Sequence, residues 1–129
     1  MTERATIAGL LEAARSRLVR LEPSVAQQAI AAGALLVDTR DGAVRGATGV
    51  IPGSVHVPLS VLFWRLDPTS ESADPRLADP NRRVVLICAH GYSSSLAAAT
   101  LLDLGYERAT DVIGGFEAWA AAGLAGSPE

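Results

Sequence analysis

The sequence is short of cysteine, of aromatic side chains and of basic stretches. Its one cysteine is Cys88, so no disulfide can form within the chain. A lone thiol suits a reducing compartment, and we expect a cytoplasmic protein. Aromatic residues make up 5% of the chain, so Ala, Leu and Val must supply most of the core. The formal net charge is −3 with no basic stretch to offset it, which disfavours a nucleic-acid partner.

Long uncharged apolar runs are also absent. Near the start, Leu10 and Leu11 are followed closely by Glu12, Arg15 and Arg17. We therefore expect neither a signal peptide nor a membrane span, and no membrane partner. The 129 residues, 49% of them hydrophobic, fit one compact domain with a sizeable core.

What the sequence does contain is an alternation of helical and strand patterns. Apolar side chains at helical spacing predict helices over residues 6–17, 24–32, 61–66, 94–104 and 116–122. Short apolar runs predict strands over residues 35–37, 55–57, 84–87 and 109–112. This alternation is typical of an α/β domain with a largely parallel sheet.

Several connections follow from local signals. Residues 18–21 either extend the first helix or form a short strand. Ser24 and Ser60 are the expected N-caps of the helices that follow them. Residues 41–49, with three glycines, are expected to form a loop, and residues 67–83 a polar connection over the surface.

Two predicted strands end in residues that can carry chemistry. The run 35–37 leads into Asp38 and Arg40, and the run 84–87 leads directly into Cys88. Ligands of open α/β sheets bind at the carboxyl ends of the strands. We therefore expect Arg40 and Cys88 at one edge of the sheet.

The segment after the second of these strands reads Cys88-Ala89-His90-Gly91-Tyr92-Ser93-Ser94. A tight turn from a strand into a helix aims backbone N–H groups inward and forms an anion site. A free thiol has a pKa of about 8.5, and a helix N-terminus can lower it to about 3.5–7.5. The same cradle would stabilise a persulfide anion. Gly91 permits the turn, and Ser93 and Ser94 can donate hydroxyl hydrogens and cap the helix.

A lone cysteine after a buried strand is as often a small core side chain as a reactive one. The setting between a strand, a glycine- and serine-containing loop and a helix favours a functional thiol.

Four segments, in order, resemble the single-domain rhodanese (thiosulfate sulfurtransferase) family. The loop is similar to that family's variant Cys-x-His-Gly-x-Ser-Ser. Residues 36–40 resemble its Asp-x-Arg strand end, residues 49–54 its Gly-His-Ile-Pro-Gly-Ala segment, and residues 111–119 its Gly-Gly-x-x-x-Trp motif. The likeness spans about residues 18–124, and four motifs in order make a strong signal.

The resemblance implies a three-layer α/β/α fold around a mostly parallel sheet of about five strands. It implies a rhodanese domain over residues 18–129, preceded by an N-terminal helical extension over residues 1–17. That helix can pack on its own domain or on a neighbouring copy, so the oligomeric state stays open.

The resemblance also implies a sulfurtransferase that needs no metal or organic cofactor. Cys88 would take sulfane sulfur from a small anionic donor, either thiosulfate or a persulfide. It would pass that sulfur from its own persulfide to a thiol, cyanide or protein acceptor. The implied substrate-binding residues are Ala89, His90, Gly91, Tyr92, Ser93, Ser94 and Arg40, with Asp38 in support.

The chain departs from the family pattern at three positions. Ser93 stands where many members have arginine, so the loop lacks that cation. Val50 replaces a histidine, and Arg45 lies near the place of a usual acidic residue. This predicts an altered arrangement of ion pairs near Arg40.

Arg40 and His90 each have two possible roles, and the other supporting residues are expected to be structural. Arg40 either bonds loop carbonyls or contacts the substrate, and Asp38 is expected to accept hydrogen bonds from the backbone or from Arg40. His90 is either an exposed loop residue or a group at the pocket mouth that titrates near neutrality. Tyr92 is expected to shape the rim, and Trp119 to pack in the interior.

Two other functions compete with sulfur transfer. Rhodanese-like binding or thiol-sensing modules commonly lack the cysteine, so its presence favours the enzyme. A phosphatase of the related fold needs an arginine that clamps phosphate six positions after the cysteine, and that position is Ser94.

Overall fold

The computed structural model describes residues 3–124. Residues 1, 2 and 125–129, which the predicted domain bounds include, lie outside this range. In chain order the described elements are α1 Ile7–Ser16, α2 Pro23–Ala31, β1 Leu35–Asp38, α3 Gly42–Thr48, β2 Val55–His56, α4 Leu62–Leu66, β3 Val84–Ile87, α5 Ser93–Asp103, β4 Thr110–Asp111 and α6 Gly115–Ala121.

The four strands form one parallel sheet in the order β2-β1-β3-β4. Beyond β4, Leu21 forms a one-residue parallel bridge with Val112. The predicted sheet of about five strands therefore consists of four strands and this bridge, and the parallel α/β class is confirmed. Residues 18–21 neither extend α1 nor make a full strand.

The side chains of β3 alternate between two cores. Val84 and Leu86 pack in a cluster with α4 and α5, whereas Val85 and Ile87 pack in a second cluster with α2 and α6. Each such fully buried side chain contributes about 1.5–3 kcal/mol to folding. Helices thus cover both faces of the sheet, as the three-layer prediction requires, and α1 packs outside α5.

The prediction of a loop at residues 41–49 is wrong. Residues Gly42–Thr48 form α3, and the Asp41 side chain accepts a hydrogen bond of 2.7 Å from the Ala43 N–H as its N-cap. The glycines mask the helical signal, because each lowers helix propensity. The helix turns Arg45 inward, where its side chain is buried.

The predicted N-caps also need correction. Helix α2 begins at Pro23, with Glu22 at the cap position, so Ser24 lies inside its first turn. Proline suits that turn because the first N–H groups of a helix have no partner within it. Val61, not Ser60, precedes α4, and Tyr92 holds the cap position of α5 without a side-chain cap bond.

The fold brings three chemically useful side chains to one edge of the sheet. Asp38 ends β1, Cys88 follows β3, and Asp111 ends β4. Among the described residues, no helix is both long and apolar enough to cross a membrane.

Candidate active site

Cys88 lies at the base of the loop between β3 and α5, and only 6% of the residue is exposed. The Gly91 N–H donates to Cys88 Sγ at 3.1 Å, and the thiol donates to Ser94 Oγ at 3.2 Å. The loop therefore places both a backbone amide and a hydroxyl group at the sulfur.

These contacts change the acidity of the thiol. Burial acts to raise the pKa of Cys88. The Ser94 hydroxyl and N–H, the Ser93 hydroxyl and the Gly91 N–H act against it, and the net effect is a pKa below the ordinary thiol value. The thiolate is the nucleophilic form of cysteine, so this site favours reactivity.

The loop is held in shape by the first turn of α6. The Phe116 N–H donates to the Cys88 carbonyl at 2.8 Å, and the Glu117 N–H donates to the Ala89 carbonyl at 3.1 Å. Gly91 has a φ of +83°, and a Cβ there would lie 2.7 Å from the Gly114 nitrogen. Glycine is therefore required at position 91 both for its backbone conformation and for this close approach.

A buried carboxylate lies behind the loop. Asp111 is fully buried and accepts hydrogen bonds from Ser94 Oγ at 2.7 Å and from Ser95 Oγ at 2.8 Å. Arg20 Nε donates to the same carboxylate at 2.8 Å. Ser94 thus touches both the sulfur and Asp111.

Sequence reasoning missed Asp111, Ser95, Arg15 and Arg20. The signal for Asp111 was present, since it lies near the carboxyl end of the strand predicted at residues 109–112, at the same sheet edge as Asp38 and Cys88. The two arginines precede the loop by some 70 residues, and no local pattern connects them to it.

Arg40 and Asp38 form a buried ion pair beside the Cys88 loop. Arg40 binds both carboxylate oxygens of Asp38, and its other contacts are Thr48 Oγ1 and the Gly49 carbonyl, each at 2.7 Å. The guanidinium also stacks on the Phe116 ring, 3.9 Å from its centroid. With 1% of its side chain exposed, Arg40 bonds a loop carbonyl and the cluster around it.

The predicted change of ion pairs near Arg40 involves Arg45, whose Nε lies 3.0 Å from Asp38. Burial acts to raise the pKa of Asp38. Hydrogen bonds from the Arg40 side chain and backbone, the Arg40 charge and a hydrogen bond from Arg45 reverse this and hold that pKa below its usual value. The carboxylate is therefore the stable form of Asp38 in the folded protein.

His90 and Tyr92 lie at the rim. His90 Nδ1 is 2.9 Å from a Glu117 carboxylate oxygen, both side chains being largely exposed, and Tyr92 is 62% exposed. Next to His90 is a hollow of about 510 Å³, which is lined by Arg40, Val44, Thr48, Ala89, His90, Phe116, Glu117 and Ala120.

The model of the Rhodanese-like domain family matches residues 22–122. The chain belongs to this family. The rhodanese resemblance of the sequence motifs is thereby confirmed over most of the chain.

Rhodanese relatives named thiosulfate sulfurtransferase GlpE are similar along most of their length. The protein of Pseudomonas savastanoi pv. phaseolicola is 39% identical over 102 residues, which cover 79% of this chain and 87% of the relative. The protein of Haemophilus influenzae is 34% identical over 104 residues, which cover 81% of this chain and 90% of the relative.

Two solved structures are similar to this chain over most of its length. A protein of unknown function from Rhodopseudomonas palustris, described as a possible tyrosine phosphatase, has a TM-score of 0.86 and 32% identity. That match covers 100% of this chain and 98% of the other. The polysulfide-sulfur transferase homodimer of Wolinella succinogenes has a TM-score of 0.70 and 24% identity. It covers 89% and 82% of the two chains and shows a shared fold.

Proposed function

We propose that this protein is a sulfurtransferase that carries sulfane sulfur on Cys88. The observation that carries the proposal is the buried thiol of lowered pKa, with the Gly91 N–H and the Ser94 hydroxyl at its sulfur. The names of the GlpE relatives support the same chemistry.

The reaction runs in two half-reactions. The Cys88 thiolate attacks the outer sulfur of the donor, whose sulfur–sulfur bond breaks. Thiosulfate then releases sulfite, a thiosulfonate releases a sulfinate, an organic persulfide releases its thiolate, and Cys88 becomes a persulfide. An acceptor thiolate or cyanide then attacks the terminal sulfur and releases the Cys88 thiolate. Sulfur moves as a neutral atom, so no external electron carrier is needed.

The loop residues from Ala89 to Ser94 stabilise the persulfide anion in this scheme. Their amides form the cradle, and the Ser94 hydroxyl adds a further donor at the sulfur. Because Cys88 is the only cysteine, its persulfide cannot be resolved by an internal disulfide. The sulfur therefore passes to an external acceptor, and a reducing compartment such as the cytoplasm would keep the resting thiol available.

The donor is better matched by an organic sulfur compound than by thiosulfate. Arg40 is engaged by Asp38, Thr48 and Gly49, and position 93 holds a serine. The adjacent hollow falls within the usual size range of sites for small organic molecules, about 300–1,000 Å³. We propose donors with an apolar body, such as aromatic persulfides or thiosulfonates.

Intact mass spectrometry tests the function directly. After incubation with a sulfane-sulfur donor, the wild-type protein should gain one sulfur atom, and cyanide or a thiol should remove it. Cys88→Ser should gain none, because the sulfur has no nucleophile to accept it. If wild type takes no sulfur from thiosulfate, thiosulfonate or organic persulfide, the protein is instead a binding or thiol-sensing module.

The possible phosphatase among the similar structures makes a second activity worth testing. A phosphatase loop requires an arginine where this chain has Ser94, and Arg15 and Arg20 meet the loop at the Gly91 carbonyl. We expect no hydrolysis of p-nitrophenyl phosphate above that of Cys88→Ser. Turnover that depends on Cys88 would favour the phosphatase.

A further inference from the structure

The Gly91 carbonyl is held by two arginines that come from the N-terminal part of the chain. Arg15 Nη2 donates to it at 2.7 Å and Arg20 Nη2 at 3.1 Å. Ser95 Oγ lies 3.3 Å from the same oxygen. Arg15 belongs to α1, Arg20 lies between α1 and α2, and both precede the segment that the family model matches.

This contact has a geometric role in the loop. An anion cradle turns N–H groups inward, so some carbonyl groups must turn outward and find donors of their own. Gly91 shows both sides of this arrangement, because its N–H donates to Cys88 Sγ while the arginines bind its carbonyl. Holding the carbonyl outside therefore keeps the amide aimed at the sulfur.

Arg20 acts on the sulfur by a second route. Its Nη2 lies 3.2 Å from Asp111 Oδ2, the oxygen that also accepts from Ser94 and Ser95. The Ser94 hydroxyl has one hydrogen and two acceptors, the Asp111 carboxylate and the sulfur once it is ionised. When Ser94 turns its hydrogen to the sulfur, Asp111 loses one hydrogen bond. The hydrogen bond from Arg20 to Asp111 offsets that loss.

Arg15 is fixed against the loop by several contacts. Its Nε donates to Ser95 Oγ at 3.1 Å, and its guanidinium lies 5.6 Å from the centroid of the Tyr92 ring. Helix α1 packs along α5, so the arginine is carried by a folded element. The Rhodopseudomonas palustris structure matches the whole chain, including this segment.

We propose that the N-terminal segment, residues 3–21, is a positioning component of the active site, in which Arg15 and Arg20 hold the Gly91 carbonyl and the Asp111 carboxylate so that Gly91 and Ser94 donate to the Cys88 sulfur. This inference deepens the proposed sulfurtransferase function and rests on it. The two arginines supply, from outside the loop, positive charge that Ser93 does not supply within it. The predicted division between an extension at 1–17 and a domain at 18–129 would then cut through the site.

The test is the pH dependence of Cys88 alkylation by iodoacetamide, which reports the thiolate. The variants are Arg15→Gln, Arg20→Gln and the double variant. Arg17→Gln is the matched control, because Arg17 follows the same helix and pairs with exposed Asp103 at 2.6 Å. In the double variant we expect the midpoint to move to higher pH and the rate at pH values below the midpoint to fall about tenfold, which corresponds to one pH unit.

Other charged groups near the loop stay constant in this comparison. They come from each element packed against it and are Asp111, Arg40, Asp38, His90 and Glu117. Arg15→Lys keeps the positive charge but loses the planar guanidinium with its several N–H donors. It should therefore bring the alkylation midpoint only part of the way back to the wild-type value. Each single glutamine variant should show an intermediate midpoint, so the test does not depend on the stability of the double variant.

Two results would overturn the proposal. One is that Arg15→Gln and Arg20→Gln both keep the wild-type midpoint of alkylation and the wild-type melting temperature. The other is a loss of reactivity that is equal at every pH, which indicates a structural role alone. Alkylation needs no sulfur donor, so a wild type that never takes up sulfur would refute sulfur transfer while the alkylation profiles still decide the role of the arginines.

Discussion

Ser94 is the residue on which the chemistry of the loop converges. Its hydroxyl lies 3.2 Å from Cys88 Sγ and 2.7 Å from Asp111 Oδ2. In the thiol state the sulfur donates to Ser94 and Ser94 donates to Asp111. Once the thiol has ionised, the hydroxyl hydrogen can turn to the sulfur. The residue therefore helps set how readily Cys88 ionises.

Replacing Ser94 by alanine should raise the pKa of Cys88, because the side-chain donor that opposes burial is lost. We expect alkylation and sulfur loading at pH values below the midpoint of Cys88 ionisation to slow about fivefold, the factor that corresponds to one hydrogen bond of about 1 kcal/mol. Thr100→Ala serves as the control, since its hydroxyl bonds Leu96 in the same helix. An unchanged pH profile in Ser94→Ala would contradict this role.

The residues of the loop could be identified from sequence because they are contiguous. Cys88, Gly91 and Ser94 lie within seven positions, and each has a property that an anion cradle needs. Asp111, Arg15 and Arg20 reach the same place only through the tertiary fold. Contacts between distant segments leave no periodic pattern, which is why the sequence does not predict that Arg15 and Arg20 reach the loop.

At the scale of elements, the strands buried on both faces were predictable. The apolar runs of β1 and β3 are typical of interior strands, and all four residues of each strand are buried. Helix α3 was not, because its sequence is rich in glycine. Packing of the buried Arg45 against Asp38 stabilises that helix in a way that propensity does not show.

The hollow between α3 and α6 is expected to bind the body of the donor. Placing a charge there by Ala120→Glu should reduce kcat/KM for benzenethiosulfonate about tenfold. The phenyl ring would lose about 1.5 kcal/mol of the free energy that it gains when it is buried in the hollow. Methanethiosulfonate, which has no ring to place, should be affected much less. Ala121→Glu, on the exposed side of α6, is the matched control. An equal loss for both donors would exclude the hollow as a donor subsite.

At the scale of the whole molecule, three carboxyl ends of parallel strands meet at one edge, and each ends in a group that the site uses. Asp38 pairs with Arg40 and Arg45, Cys88 supplies the buried thiol, and Asp111 accepts hydrogen bonds from Ser94 and Ser95. The same edge therefore contains both the buried thiol and a buried ion cluster that holds the surrounding loops.

The acid stability of the fold should depend on Asp38. Its pKa is lower in the folded protein than the unfolded value of about 3.9, so the unfolded state binds more protons in this range. The contribution of Asp38 is therefore complete above that value and is lost as the pH falls through the lower folded pKa. Urea unfolding across an acidic pH series should show the free energy of unfolding falling in this window.

Asp38→Asn should be less stable than wild type at neutral pH, because Arg40 and Arg45 would lose their buried counter-charge, and its stability should fall less steeply in acid. Asp103→Asn is the control, since Asp103 also has a lowered pKa but its pair with Arg17 is exposed to solvent. That variant should keep the wild-type acid slope. If Asp38→Asn and wild type lose stability in parallel as the pH falls, the acid sensitivity of the fold originates in other carboxylates.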